Sequence, residues 1–159
     1  MAAARQRIAD SAPYFFFGTL MDRDLLGRVC GRAVEERQIE AATIAGFRRT
    51  GVVGRHYPIL VKDAGARTSG ILVRGLDASA GRRLIAYEGP NYRLEPVIVT
   101  DSAGRATESA VFLVVRRLRS NRRHWRLADW QRRWKRRALR RAARLFDPRT
   151  DSLWRRRAR

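Results

Sequence analysis

The alternation of apolar and polar positions divides the chain into short elements. Pro13-Tyr14-Phe15-Phe16-Phe17 is an unbroken apolar run too short for a helix, and its aromatics favour a fully buried strand. Gly18 ends it. Thr19-Leu20-Met21-Asp22 reads as a helix start, with Thr19 as N-cap and Asp22 three residues on; Leu25, Leu26 and Val29 then fall at helical spacing, and Gly31 closes the helix. Residues 38–47 alternate loosely and read as a strand, residues 51–61 as another after a turn at 48–51, and residues 69–76 as a third. Asp77 caps a helix carrying Ala80, Leu84, Ile85 and Tyr87, which ends at Glu88 before the turn Gly89-Pro90-Asn91. Residues 92–100 and 106–118 form a strand pair around a turn at 101–104.

From Asn121 the pattern turns helical. Leu127, Trp130, Trp134, Ala138, Ala142 and Leu145 step by three or four and make one apolar stripe that Asp147-Pro148 stops. The expected architecture is α+β: a mainly antiparallel sheet, curved or closed, with two short helices and one long C-terminal helix. Four segments follow: a flexible extension (1–12), a barrel or sheet domain (13–119), a helix packed on it (120–148) and a flexible basic tail (149–159).

Length changes this picture little, since 159 residues suit one domain with its own core. Charge changes it more. The formal net charge is +20, of which residues 116–159 carry +16 and residues 1–115 only +4. All basic residues but Lys62 and Lys135 are arginine, the residue suited to bidentate phosphate or carboxylate binding, although a bias toward arginine codons would leave the same trace. Arg132, Arg133, Arg136, Arg137 and Arg140 are candidate contacts for an anionic surface, giving a weak, salt-sensitive association with nucleic acid or lipid headgroups. The tryptophans between them could stack bases, yet Trp130 and Trp134 share the apolar stripe and are read as core.

The apolar run at 110–115 is far too short for a membrane span, and residues 1–13 lack the apolar stretch of a secretory signal. The expectation is a cytoplasmic protein. Cys30 is the only cysteine, which excludes an internal disulfide; with His56 and His124 it offers neither metal-ligand spacing nor a nucleophile–base pair. No phosphate-binding glycine motif occurs.

Two constellations carry candidate chemistry. Phe17-Gly18-Thr19-Leu20 takes a buried strand through glycine into a helix start, where free N–H groups can hold a carboxylate. Tyr87-Glu88-Gly89-Pro90-Asn91-Tyr92 closes a helix on an acidic residue. The negative helix end and partial burial push the pKa of Glu88 upward, toward that of a general acid/base. Each alone also fits a plain connection or a surface residue before a turn.

In this order the two segments resemble the γ-glutamylcyclotransferase-like superfamily, especially its small bacterial and plant members. Phe17-Gly18-Thr19-Leu20 corresponds to its Tyr-Gly-Ser/Thr-Leu motif, and Glu88-Gly89-Pro90-Asn91-Tyr92 to its Glu-Gly-x-x-Tyr helix end. Gly46-Phe47-Arg48-Arg49, Tyr57-Pro58-Ile59-Leu60-Val61 and Ser69-Gly70-Ile71-Leu72-Val73 continue the likeness, which spans roughly residues 13–135. The resemblance implies a small mixed barrel whose glycine turn and glutamate face one cavity. It also implies a small γ-glutamyl substrate, of the kind met in glutathione metabolism, and release of 5-oxoproline. Glu88 would be general base and then acid, Phe17, Gly18, Thr19 and Leu20 would hold the γ-glutamyl group, and Tyr92 would line the pocket. The substrate supplies the nucleophile, so the resemblance implies no metal or cofactor. Phe17 departs from the usual Tyr. A non-catalytic relative, or a basic binding module acting through the arginine-rich helix, is the alternative reading.

Overall fold

A computed structural model describes residues 12–149. The expected extension and basic tail lie, apart from Ala12 and Arg149, outside the described residues. Five strands close into a barrel in the order β1-β3-β2-β4-β5: β1 (Tyr14–Phe16), β2 (Ile39–Gly51), β3 (Pro58–Val73), β4 (Tyr92–Thr100) and β5 (Ala106–Val114). All neighbours are antiparallel except β1 and β5, which meet in parallel at Tyr14 and Ala110. Among the described residues four named α-helices accompany them: α1 (Arg23–Cys30), α2 (Ala78–Glu88), α3 (Leu127–Arg133) and α4 (Lys135–Leu145).

The aromatic run explains why β1 can be so short. Side chains alternate across a strand, and both faces of this one are buried. Tyr14 and Phe16 join the cluster under the helices with Leu25, Leu26, Val29, Leu84 and Trp130. Phe15 and Phe17 point the other way, into the barrel with Ile44, Leu60, Leu72, Val99 and Val111. The strand thereby joins the two cores.

Strand limits differ most from the sequence expectation between residues 48 and 76. The turn expected at 48–51 is the end of β2, and the chain reverses later, between Gly51 and Pro58. The segments expected at 51–61 and 69–76 become a single long β3: Lys62, Arg67 and Thr68 also pair with β2, and residues 63–66 carry the strand across a break in that pairing. Lys62-Asp63-Ala64-Gly65-Ala66-Arg67 has no apolar alternation to reveal this. The register there slips: Phe47 pairs with Lys62 but Ala45 with Arg67, across a bulge at Gly46.

The C-terminal helical stretch, expected as one long helix, is divided at Trp134 (φ −126°, ψ −17°) into α3 and α4, which pack on the helix-side core through Trp130, Leu139 and Ala142. Residues 115–126 run as an irregular connection instead of extending β5 or α3. They are tied to the end of β2 by Val53 N–H to the Arg119 carbonyl (2.9 Å) and by paired bonds between Gly51 and Asn121 and Arg123. Among the described residues no helix is long and apolar enough to cross a membrane.

Candidate functional site

Both motif segments owe their shape to local bonds. In α2 the Asp77 carboxylate accepts from the Ala80 N–H at 2.8 Å, and the helix ends at Glu88 because Gly89 adopts φ 77°, a left-handed conformation that favours glycine. The chain then re-enters the barrel at Tyr92. At the other motif, Thr19–Met21 is a single 3-10 turn, and Asp22 rather than Thr19 caps the helix that follows, accepting from the Leu25 N–H at 3.0 Å. The N–H groups of Thr19 and Leu20 are left without intrahelical acceptors, as at any helix start.

Gly18 has a packing reason that the sequence does not show. A Cβ there would lie 3.1 Å from the Pro58 ring, so glycine lets the start of β3 close against the turn. Arg49 on β2 steadies the same turn, its Nη1 donating to the Phe17 carbonyl at 2.9 Å and to the Ser69 carbonyl at 3.1 Å.

A cavity of about 300 Å³ opens between these segments. Phe17, Gly18, Thr19, Leu20, Glu88 and Tyr92 all line it, so the fold brings together two segments about seventy residues apart in sequence. Phe15, Phe16 and Phe112 contribute apolar wall, and Asn91 stands beside Glu88. Glu88 is partly buried, and its carboxylate has no hydrogen bond or ion pair among the described residues. Burial pushes its pKa from the ordinary 4.5 up to about 7, while the Arg141 guanidinium pulls weakly the other way. Tyr87 is pushed up to about 12 by burial and by Glu88, and Tyr92 is raised by burial, Glu88 and Tyr57. The phenols therefore remain protonated donors beside a carboxyl that titrates near neutrality.

Three polar or charged lining residues, outside both motif segments, were not read from the sequence as site residues. Tyr57 stands edge-on to Tyr92, with ring centroids 6.4 Å apart. Arg55 reaches the cavity from the loop between β2 and β3, where nothing in the local pattern marks it. Arg141 comes from α4, its guanidinium 5.3 Å from the centre of the Tyr87 ring. A signal for Arg141 exists: it lies three residues after Ala138 and four before Leu145, beside the apolar stripe.

The arginines expected at an anionic surface have a different setting. Arg132, Arg133, Arg136, Arg137 and Arg140 are exposed on α3 and α4 and do not line the cavity. Arg132 pairs with Asp129, and Arg137 lies close enough to His56 to lower its pKa, after the larger effect of burial. Trp130 is buried in the core, and Trp134 packs against its edge. Cys30 is buried, which pushes its thiol up to about 11 and leaves it unreactive. Among the described residues no cluster of His, Cys, Asp or Glu could hold a metal ion.

The fold has known counterparts. It is similar to the solution structure of At5g39720.1 from Arabidopsis thaliana, with a TM-score of 0.62 and 23% identity over 83% of this chain and 90% of that one. A second Arabidopsis thaliana protein, At3g28950.1, superposes with a TM-score of 0.63 at 16% identity, over 87% of this chain and 86% of that one. A structure described as a gamma-glutamyl cyclotransferase superposes at 0.50 with 12% identity, over 70% of each chain. A search of curated protein sequences returns no match. At the level of sequence family, residues 14–132 match gamma-glutamyl cyclotransferase, AIG2-like. With the barrel, the glycine turn and the buried glutamate in place, that match covers most of the chain, which belongs to the AIG2-like gamma-glutamyl cyclotransferase family.

Proposed function

We propose that this protein releases 5-oxoproline from a γ-glutamyl amide, with Glu88 as general base and then general acid. The observation that carries the reading is Glu88 itself: a carboxyl that lines the same cavity as the glycine turn, has no partner among the described residues, and is pushed up to about 7 by burial. The N–H groups of Gly18, Thr19 and Leu20 hold the γ-glutamyl group, with Phe17 and Tyr92 as walls. Ionised Glu88 takes a proton from the substrate's α-ammonium. The freed amine attacks the γ-carbonyl carbon, the lactam C–N bond forms, and the amide C–N bond breaks. Two protons leave the α-nitrogen in all, and both end on the departing amine, one of them through Glu88.

The chemistry suits the site. Attack is intramolecular, so the protein need only fold the substrate into a reactive conformation and move a proton. A base with a pKa near 7 is half ionised at neutral pH and returns its proton readily. Phe17 in place of Tyr is accommodated because its ring sits in the inner core, while its carbonyl is held by Arg49. A cytoplasmic location fits a small γ-glutamyl substrate.

The test is 5-oxoproline release from a panel of γ-glutamyl amides by wild type and Glu88→Gln. The expected result is turnover by wild type and a loss of at least about 100-fold in the variant, the scale of general acid–base catalysis. Undiminished turnover by Glu88→Gln would remove Glu88 from the mechanism. Folded wild type inactive on every amide would overturn the reaction.

A further inference from the structure

Away from the cavity, the charge of the C-terminal third is almost all of one sign. Between residues 116 and 146 stand thirteen arginines and Lys135 against one acid, Asp129. That acid pairs with Arg132, while Asp22 and Asp24, at the start of α1, pair with Lys135. Arg122, Arg123 and Arg126 before α3, with Arg133, Arg137 and Arg140 on α3 and α4, are exposed. None of these six guanidiniums has a hydrogen bond or ion pair among the described residues. Their mutual repulsion costs stability, which a bound polyanion relieves.

Tertiary contacts draw the two groups of arginines onto one face. The connection 115–126 lies along the loop after β2: the Thr50 and Ser120 hydroxyls are hydrogen-bonded at 2.7 Å, and Gly51 N–H donates to the Arg123 carbonyl at 3.1 Å. Arg122 holds φ 58°, a left-handed conformation that L side chains rarely adopt. It is fixed there by Ser120 Oγ, which accepts from its N–H at 3.0 Å, and by Asn121 Oδ1, which accepts from the Arg123 N–H at 2.9 Å. The same loop meets the helices at His56. Its ring stacks on Trp134 with centroids 3.2 Å apart at 13°, and its carbonyl accepts from Trp125 Nε1 at 3.0 Å. Arg137, one turn after Trp134, stands near enough to act on the His56 ring. Arg137 and Arg140 lie on the side of α4 away from its buried Ala142. Both arginine groups thus flank one set of rings: His56, Trp125 and Trp134.

We infer that this face binds single-stranded nucleic acid, with the arginines on its phosphates and bases against the rings. The inference does not depend on the proposed reaction, since none of the six arginines lines the cavity. A row of unpaired guanidiniums suits a chain of phosphodiesters, which offers a negative charge at every step, better than one small anion. His56 remains exposed and Trp125 half-buried, so unpaired bases can stack there. A duplex keeps its bases inside and would leave these rings unused. A lipid surface fits less well, because an interfacial helix inserts its apolar face. Here that face is spent on the core, through Trp130, Leu139 and Ala142. Among the described residues the exposed large apolar side chains, Val53, Ile85, Ile98 and Val115, lie on neither α3 nor α4.

The experiment is fluorescence anisotropy of the full chain with a labelled oligouridine of about 20 nucleotides, beside an RNA duplex of the same length. Wild type should bind the single strand with a Kd of about 1–10 μM at about 50 mM NaCl, and more tightly than the duplex. Between about 50 and 200 mM NaCl, log K should fall against log salt with a slope of roughly −4, the value for six phosphate contacts on a single strand. The triple variant Arg133→Gln, Arg137→Gln, Arg140→Gln should bind at least about tenfold more weakly and flatten the slope by about two, whereas the corresponding lysine triple keeps most of the affinity. All three positions are exposed, and circular dichroism checks that the fold is kept. His56→Ala should bring the ratio of single-strand to duplex affinity toward one. An affinity and slope unchanged in the glutamine triple would place the contact elsewhere in the chain and overturn the inference. So would no binding at about 50 mM NaCl, a duplex bound at least as tightly as the single strand, or a ratio unchanged in His56→Ala. Sedimentation with phosphatidylserine vesicles in place of oligouridine binding would assign the face to a membrane and overturn it too.

Discussion

Glu88 shows how one residue's position costs stability and provides reactivity. Its folded-state pKa, about 7, lies above the ordinary 4.5, so the folded protein holds this proton more tightly than the unfolded chain does. The stability this group contributes is fully present below pH 4.5 and is lost as the pH rises through 7. Glu88→Gln should accordingly be more stable than wild type at pH 8, by about 1–3 kcal/mol, with the gap closing toward pH 4. Urea melts at both pH values check this, and an equal gap at both would show that Glu88 is not destabilised by burial. The same group makes a kinetic prediction of the matching sign. As the base must be ionised, kcat/KM should rise with pH through a limb near 7 that is absent from any residual activity of Glu88→Gln.

At the scale of elements, two contacts between segments invite test. Gly70 on β3 passes so close to β1 that a Cβ would lie 2.3 Å from the Phe16 carbonyl oxygen and 2.7 Å from the Phe15 ring. Neither backbone nor a core aromatic can yield cheaply. Gly70→Ala should cost about 2–4 kcal/mol, read from the urea midpoint, and a near-neutral effect would mean that β1 can shift within the barrel. Asp22 joins the start of α1 to the junction of α3 and α4. It is 2% exposed, and besides capping α1 it accepts from Gln131 Nε2 at 2.8 Å and pairs with Lys135 Nζ at 2.9 Å. Burial alone would raise its pKa, but the bonds from Leu25, Lys135 and Gln131 outweigh burial and hold it below the ordinary 3.8. Its contribution is therefore present above that pH and lost as pH falls below it. Asp22→Ala should destabilise by about 2–4 kcal/mol at pH 7, since it removes a cap and leaves a lysine without a buried partner. A loss within about 0.5 kcal/mol would mean that Asp24, which also contacts Lys135, suffices to dock the C-terminal helices.

For the molecule as a whole, charge is the dominant condition. A net +20 in a chain of 159 residues repels itself, and most of the excess belongs to the C-terminal third. The surface ion pairs, such as Arg48 with Asp63 and Arg93 with Glu95, involve exposed groups and contribute little. Screening should therefore stabilise the protein: raising NaCl from about 10 mM to about 300 mM, which shortens the screening length from about 30 Å to below 10 Å, should raise Tm by a few degrees. A fall in Tm over that range would show that attractive pairs outweigh the repulsion. The same arrangement places the C-terminal segment on the site. α4 carries the exposed arginines on one side and Arg141 on the cavity rim on another, so one helix divides its charge between solvent and site.

Much of the local architecture was legible in the residues. The aromatic run of β1, the helix closed by Glu88 and Gly89, and the pairing of β4 with β5 follow from short-range rules: side-chain alternation, capping, and the turn preference of glycine. The six candidate residues at the two motifs could be named without a structure because the two contiguous motifs, taken in order, resemble those of the family. Other features depended on contacts between distant segments. The expected segments at 51–61 and 69–76 become one strand because β2 runs alongside both and pairs with Lys62, Arg67 and Thr68 between them, a register that no apolar pattern in this stretch reveals. Gly18 and Gly70 look permissive in sequence but are compelled by Pro58 and by β1. Arg55 and Arg141 are separated by 86 positions and look like any of the surrounding arginines. Closure of the barrel and the break at Trp134 put both at one rim, since non-local packing, which short-range rules do not encode, decides which of many like charges faces a cavity.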